Sequence, residues 1–388
     1  MMKNIETILQ EIMPEVIDFR HTLHQIPELA GEEFKTCQEI RSRLNKITEL
    51  EIAPPFLETD TVAMLQGSAP GKNVTLRADI DALALTETSG AGYCSQHPGR
   101  AHACGHDAHM AMLYGAAKVL ARIRDEFSGS IRFVFQPGEE NVSMAKDLIA
   151  AGAIASPAPD LVAALHIVPK YPTGKLVIRK GTVSAASCHF EVTFKGLGGH
   201  GSRPDLARNP VTALAAAIVE LQGAAQNWIT PFESGVISVA TVSGGTLPNI
   251  IPEEAVFTGT IRALTDETAD RLLEALKHIC NAAAQLHRTE CHIHIAGRYP
   301  ATVNDDSAVD LASRMLQDNG IDFEWEPNSA MSSEDFAYFL HKAPGIYARI
   351  GSGENAPELH NPQLDAPDDM LINGIRFLVG FALAGLAK

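Results

Sequence analysis

Three short apolar runs, each handing a polar residue to its downstream end, constrain this chain most. They are Asn73-Val-Thr-Leu-Arg-Ala-Asp79, Ser130-Ile-Arg-Phe-Val-Phe135 followed by Gln136-Pro137-Gly138-Glu139-Glu140, and Asp160-Leu-Val-Ala-Ala-Leu-His166. Runs this short and this apolar read as strands buried on both faces. Between them, 107–124 and 144–151 carry helical spacing. Strand alternating with helix predicts an α/β fold, a mainly parallel sheet covered by helices. In such a sheet ligands collect beyond the carboxyl ends of the strands. Asp79, Asp81, Glu139, Glu140 and His166 all belong to that edge. One alone would be a strand-end residue meeting water; three strands delivering acid or imidazole to the same edge describe a site.

A second feature lies between the first two runs. The stretch RAHACGHDAHMAMLY (100–114) packs His102, Cys104, His106, Asp107 and His109 into eight positions. These residues supply the thiolate, imidazole and carboxylate that bind divalent transition metals. Cys104 and His106 are two apart and cannot share a helix face, so a loop is expected there. Asp107 then opens a helix along Met110, Leu113, Ala117 and Leu120, whose positive end favours an ionised Cys104. Cys104, His106, Glu140, His166 and His360 are more ligands than one ion needs. A thiolate can bridge, so two divalent metals about 3.5–4 Å apart are expected. Such ligands accept Zn, Mn, Co or Ni. The turn at Pro137-Gly138 presents two neighbouring acids that diverge, so one can hold metal while the other handles a water proton.

The chain before the first run holds an apolar stripe over 5–24, with Pro14 expected to kink or restart it, a second helix at 33–44, and a strand pair near 50–66. After Lys180 the pattern changes. Strands at 188–195, 235–242, 253–263 and 290–296 interleave with helices beginning at Asn209-Pro210 and Thr265. That order, β-α-β-β-α-β, is the split βαβ of ferredoxin-like α+β domains. It places an inserted domain at 183–297, between two parts of a catalytic domain at 1–182 and 298–388. In the second part, helices are expected at 307–319, 334–341 and 368–386, and a strand at 345–350. The net charge of −16 excludes nucleic acid or an anionic membrane as the main partner. The apolar run 377–387 is shorter than a membrane span. Six dispersed cysteines without a C-x-x-C pair fit a reduced, cytoplasmic setting.

The motifs LRADIDAL (76–83), HACGHDAH (102–109), FQPGEE (135–140), ALHI (164–167), GGHGSRPD (198–205), LPNIIP (247–252), TIRAL (260–264), MSSEDFAYF (331–339) and LHNP (359–362) run in order through nearly the whole chain. On these the chain resembles the aminoacylase and carboxypeptidase family of di-metal peptidases, in its amidohydrolase branch of hippurate hydrolases, auxin-conjugate amidohydrolases and N-acyl-amino-acid deacylases. The resemblance implies Cys104 bridging two metals, completed by His106, Glu140, His166 and His360, with Glu139 as general base. Peptidase relatives carry His-x-Asp at the first strand end. Here Arg77-Ala78-Asp79 stands there, so Asp79 is implied only as a supporting carboxylate. The inserted domain is implied to be a lid and dimerisation domain, giving a homodimer or homotetramer. Its His200 would stabilise the oxyanion, and Asn249 and Arg262 would grip the substrate. The activity implied is hydrolysis of N-acyl amino acids (N-acetyl, N-benzoyl or similar). A dipeptidase or aminopeptidase on the same scaffold, or an inactive metal-binding protein, are the rival readings.

Overall fold

The structure, a computed structural model, describes residues 2–140 and 142–387. Its contacts divide the chain into two units. The larger runs up to Gly181, resumes over Val303–Asn328 and continues from Asp335; the smaller takes Thr182–Thr302 and Ser329–Glu334.

The larger unit is built on an eight-stranded sheet. Its order is Leu50–Ile52, Thr61–Gln66, Ser130–Gln136, Asn73–Asp79, Leu161–Val168, Gly345–Gly351, Leu176–Ile178 and Phe323–Trp325. The inner four strands, from Ser130–Gln136 to Gly345–Gly351, run parallel. Every residue of Asn73–Asp79 and Ser130–Gln136 is buried, as strands covered on both faces must be. Register then aligns the carboxyl ends. Asp79 pairs with Gln136, and Arg77 pairs with Ala164, so two residues further on Asp79 stands level with His166.

The helix His106–Arg122 packs on the strand Asn73–Asp79 between the helices Met2–Gln25 and Leu371–Leu386. It is buried on nearly every side, which explains a sequence of Ala, Met, Leu and Gly with little polar face. The helix Leu371–Leu386 is apolar for the same reason. The stretch Asp368–Leu386 is long enough to cross a bilayer, yet most of it lies within the core of this unit.

The smaller unit orders its strands Gly235–Ser243, Glu254–Ala263, Ala186–Lys195 and Glu290–Tyr299, all antiparallel. That is the ferredoxin-like arrangement. Phe190, Val192 and Phe194 alternate along one strand and turn the same way, onto the helices Pro210–Leu221 and Asp266–His287. Both helices start at side-chain caps: Asn209 accepts from Val211 N, and Thr265 from Thr268 N.

Several expectations are corrected. Pro14 lies inside one helix, Met2–Gln25, rather than dividing it. Asp107 does not open its helix. Gly105 caps it with φ 78°, a left-handed backbone, and a Cβ there would meet Ile167 Cδ1 at 2.4 Å. The helix expected at 334–341 shrinks to Ala337–Leu340, because the Asp335 carboxylate is held by Arg77, Gln136 and the Ala145 N–H. The strands Leu176–Ile178 and Phe323–Trp325 were not anticipated; three residues are too few to show a period.

A buried ion pair ties the first helix to the helix after Gly105. His24 Nδ1 lies 2.9 Å from Asp107 Oδ2, and its Nε2 lies 3.1 Å from Glu87 Oε1. Burial opposes a charge on the ring, but the two carboxylates prevail and raise its pKa from 6.5 to about 9. A value raised by folding means the protonated ring stabilises the protein fully below pH 6.5, and the contribution is lost as pH rises through about 9. Unfolding free energy from urea titrations should therefore fall by on the order of 1–3 kcal/mol across that window. A His24→Asn protein should show a flatter profile; an identical slope would remove His24 as its cause.

Candidate metal and acid site

The site grows from the aligned strand ends of the larger unit. Asp79 closes one strand, and Gln136 closes the next. Beyond Gln136 the backbone turns at Gly138, with φ 63°. A Cβ there would meet Met144 Sδ at 2.4 Å, so glycine makes the turn that presents Glu139 and Glu140. Two buried carboxylates hold this turn by its backbone. Glu33 Oε1 accepts from Gly138 N at 2.9 Å, and Asp81 Oδ2 accepts from Glu140 N at 2.8 Å.

The two candidate histidines of this unit's core have their tautomers fixed from behind. His106 Nδ1 lies 2.8 Å from the Asp81 carbonyl, and His166 Nδ1 lies 2.7 Å from the Ile167 carbonyl. A carbonyl only accepts, so each Nδ1 carries hydrogen and Nε2 is the nitrogen each ring turns inward. His166 Nε2 faces Cys104 Sγ at 3.5 Å. His106 Nε2 stands 3.8 Å from Asp79 Oδ1 and 4.0 Å from Glu140 Oε1. His360 Nε2 reaches the same Glu140 oxygen at 3.1 Å.

Asp79 is engaged on both oxygens by neighbouring side chains. Its Oδ1 takes His109 Nδ1 at 2.6 Å, and its Oδ2 takes Arg77 Nη1 at 2.7 Å. His109 Nε2 in turn accepts the Ile167 N–H at 2.9 Å, beside His166.

These contacts perturb the titrating groups in opposite directions. Burial opposes the Asp79 charge, yet His106, His109 and Arg77 hold its carboxyl well below the usual range. Burial likewise opposes charge on His106, but Asp79, Asp81 and Glu140 push it up to about 10. Burial and neighbouring His109 drive His166 well below its ordinary value. Burial and the charge of Asp81 push Glu33 up to about 7. Cys104 corrects an expectation. Burial, Glu140, Glu139 and Asp79 raise its thiol well above the ordinary value, overriding the helix end that was expected to ionise it. A cation among these groups would reverse that balance.

The donor set fits a metal. His106 Nε2 is buried and makes no hydrogen bond, and Glu140 Oε1 beside it is met by His360 Nε2. Cys104, Glu140 and His360 converge with ligand atoms within 4.8 Å of one another, as do His106, Glu139 and Glu140. Soft, imidazole and carboxylate donors aimed at one another, with polar atoms left unmatched, suit divalent transition ions.

The remaining expected residues lie in the smaller unit. His200 pairs across a two-residue ladder with Ile250, next to Asn249, and both are exposed. Ser202 N–H donates to His200 Nδ1 at 3.1 Å, which leaves the proton of a neutral ring on Nε2. Arg262 stands elsewhere, its Nη1 donating to the Met331 carbonyl at 3.1 Å and to Ser333 Oγ at 3.4 Å. It lies eight residues along the strand Glu254–Ala263 from Glu254, the end at which the His200 ladder sits. At strand rise that is on the order of 25 Å. The chain brings His200 to Asn249 and brings neither to Arg262.

The sequence reading missed Glu33 and the ionic residues of the first helix. A signal for the helix exists: Arg20 follows Val16 by four and so falls on the apolar stripe, where a charge must be paired.

A parallel sheet with thiol, imidazoles and paired acids at its carboxyl edge has the makings of a metallohydrolase. Residues 75–384 match peptidase family M20/M25/M40, and the chain belongs to that family, in its amidohydrolase branch. It is a hydrolase acting on amide bonds. The chain is 35% identical over 356 residues to thermostable carboxypeptidase 2 of Saccharolobus solfataricus, covering 91% of this chain and 89% of that protein. It is 33% identical over 369 residues to N-acetyldiaminopimelate deacetylase of Halalkalibacterium halodurans, covering 95% and 98%. It superposes with TM-score 0.84 at 27% identity on the Bacillus subtilis YXEP protein, a dinuclear metal binding peptidase from the M20 family, covering 97% and 99%.

Cys104→Ala is expected to lower the divalent metal bound by the purified chain. Metal analysis checks it, and full retention would remove Cys104 from the ligand set.

Proposed function

We propose that the protein hydrolyses N-acyl amino acids to a carboxylic acid and a free amino acid. The observation that carries this is the paired turn Glu139-Glu140, pinned by Glu33 and Asp81 beside a buried cluster of thiol, imidazole and carboxylate donors in which His106 Nε2 has no partner. Likeness to a deacetylase whose named substrate is an N-acylated amino acid, and to carboxypeptidases, supports the substrate class.

Cys104, His106, Glu140, His166 and His360 would hold two divalent ions, with Zn, Mn, Co or Ni all suited to the donors. Such ions supply Lewis-acid polarisation of the amide carbonyl and acidify the attacking water. Asp79 acts through His109, which fixes the backbone beside His166. Glu139 takes the proton of the attacking water as its oxygen bonds to the carbonyl carbon. It then returns that proton to the amide nitrogen as the C–N bond breaks, releasing a neutral amine. Glu139→Gln is expected to keep its metal and lower kcat by ~10²–10⁴. Single-turnover assays with metal analysis check this; near-normal turnover would end the proposed role.

Arg262 offers the fork that an α-carboxylate needs, and His200 and Asn249 offer oxyanion and substrate contacts. Because His200 and Arg262 occupy distant parts of the same unit, we assign them to the sites of different copies of the chain. Mixing inactive Glu139→Gln and His200→Ala proteins should then restore turnover. Arg262→Ala should raise KM for N-acyl amino acids far more than for the matching amides, which lack the carboxylate. Equal effects on acids and amides would discard the clamp.

A further inference from the structure

The proposed ligands other than His360 lie between Cys104 and His166. His360 arrives from a segment with no helix or strand between Gly351 and Asp368. Its side chain is 52% exposed and its backbone takes φ 64°, a conformation a histidine seldom adopts without support. Beyond the bonds of Ser352 and Gly353 at its start, two backbone ties act on the segment next to His360. His360 N donates to the Ala103 carbonyl at 2.7 Å, and Thr88 N to the Pro362 carbonyl at 2.7 Å.

A further tie is ionic and centres on a buried arginine. Arg20, on the first helix, is fully buried. Its Nε donates to Asp107 Oδ2 at 2.9 Å, its Nη1 to Asp368 Oδ1 at 2.6 Å and to Tyr93 Oη at 3.3 Å, and its Nη2 to Asp365 Oδ1. Asp107 directly follows His106. Asp365 and Asp368 end the segment that carries His360. One guanidinium therefore gathers carboxylates from the two sides of the metal site, which would repel one another without it. The rigid fork matters as much as the charge, since an ammonium cannot reach three diverging carboxylates at fixed angles.

We propose that Arg20 is a positioning residue that delivers His360 to the metal site. By clamping Asp365 and Asp368 onto Asp107, it fixes the segment so that His360 Nε2 stands beside Glu140. Arg20 itself touches neither metal nor substrate. The inference rests on His360 being a ligand.

The test uses the full-length chain. In the metal-free protein, Arg20→Lys should speed hydrogen exchange across 359–368, including the His360 amide, with the sheet unaffected. Zinc affinity, measured by chelator competition, should fall by about 10–100-fold, the usual effect of losing a group that orients a ligand. Asp365→Asn, which leaves the Arg20–Asp107 pair in place, should do the same more mildly and covers the case in which Arg20→Lys does not fold. The deciding comparison is a double-mutant cycle. In a His360→Ala background either substitution should change zinc affinity little, because the ligand it positions is gone. An undiminished loss in that background, or unchanged affinity in the single variants, overturns the clamp. If His360→Ala alone leaves zinc affinity unchanged, the ligand assignment falls and the clamp's purpose with it. That outcome is told apart because exchange at 359–368 still reports whether Arg20 holds the segment.

Discussion

Negative charge held out of water is the constraint on which the larger unit depends. Parallel strands bring Asp79, Asp81, Glu139 and Glu140 to one edge, and the loop before His106 adds the Cys104 thiol. A buried carboxylate persists only with a partner. Asp79 is matched by Arg77 and His109, and Asp107 by Arg20 and His24. Glu140 meets only imidazole and thiol, and the His106 Nε2 beside it has no hydrogen-bond partner, so this is the corner least matched from within the protein. Packing, ion pairing and the site are one arrangement seen at different depths.

Much of this was legible from residue order. Apolar runs ending in Asp79, Glu139 and His166 predicted both the sheet and the edge at which ligands gather, because a strand buried on both faces has few ways to show a polar residue. The inserted ferredoxin-like unit was legible from alternation, as at Phe190, Val192 and Phe194, and from the cap at Thr265. The cluster around Cys104 was legible from ligand chemistry alone.

What stayed hidden was non-local. Glu33 and Gly138 are far apart in sequence, and nothing near Glu33 announces that its carboxylate holds a turn. The three-residue strands Leu176–Ile178 and Phe323–Trp325 owe their conformation to neighbours rather than to their own pattern. Propensity over 334–341 favoured a longer helix, but Asp335 was drawn away by Arg77 and Gln136. The helix end was expected to favour an ionised Cys104, yet burial and the carboxylates brought in by other strands outweigh it.

The position of His360 in the chain has a consequence for biogenesis. Synthesis proceeds from the amino end, and domains fold as units when their parts emerge. The strands leading to Asp79, Glu139 and His166 leave the ribosome long before His360 and before the helix Leu371–Leu386, which packs across His106–Arg122. A nascent chain therefore has the cluster around Cys104 and His166 before it has the His360 imidazole. On the ligand set proposed above, loading with metal would wait for His360, and the ion would act as a seal on a sheet already folded rather than a nucleus for folding.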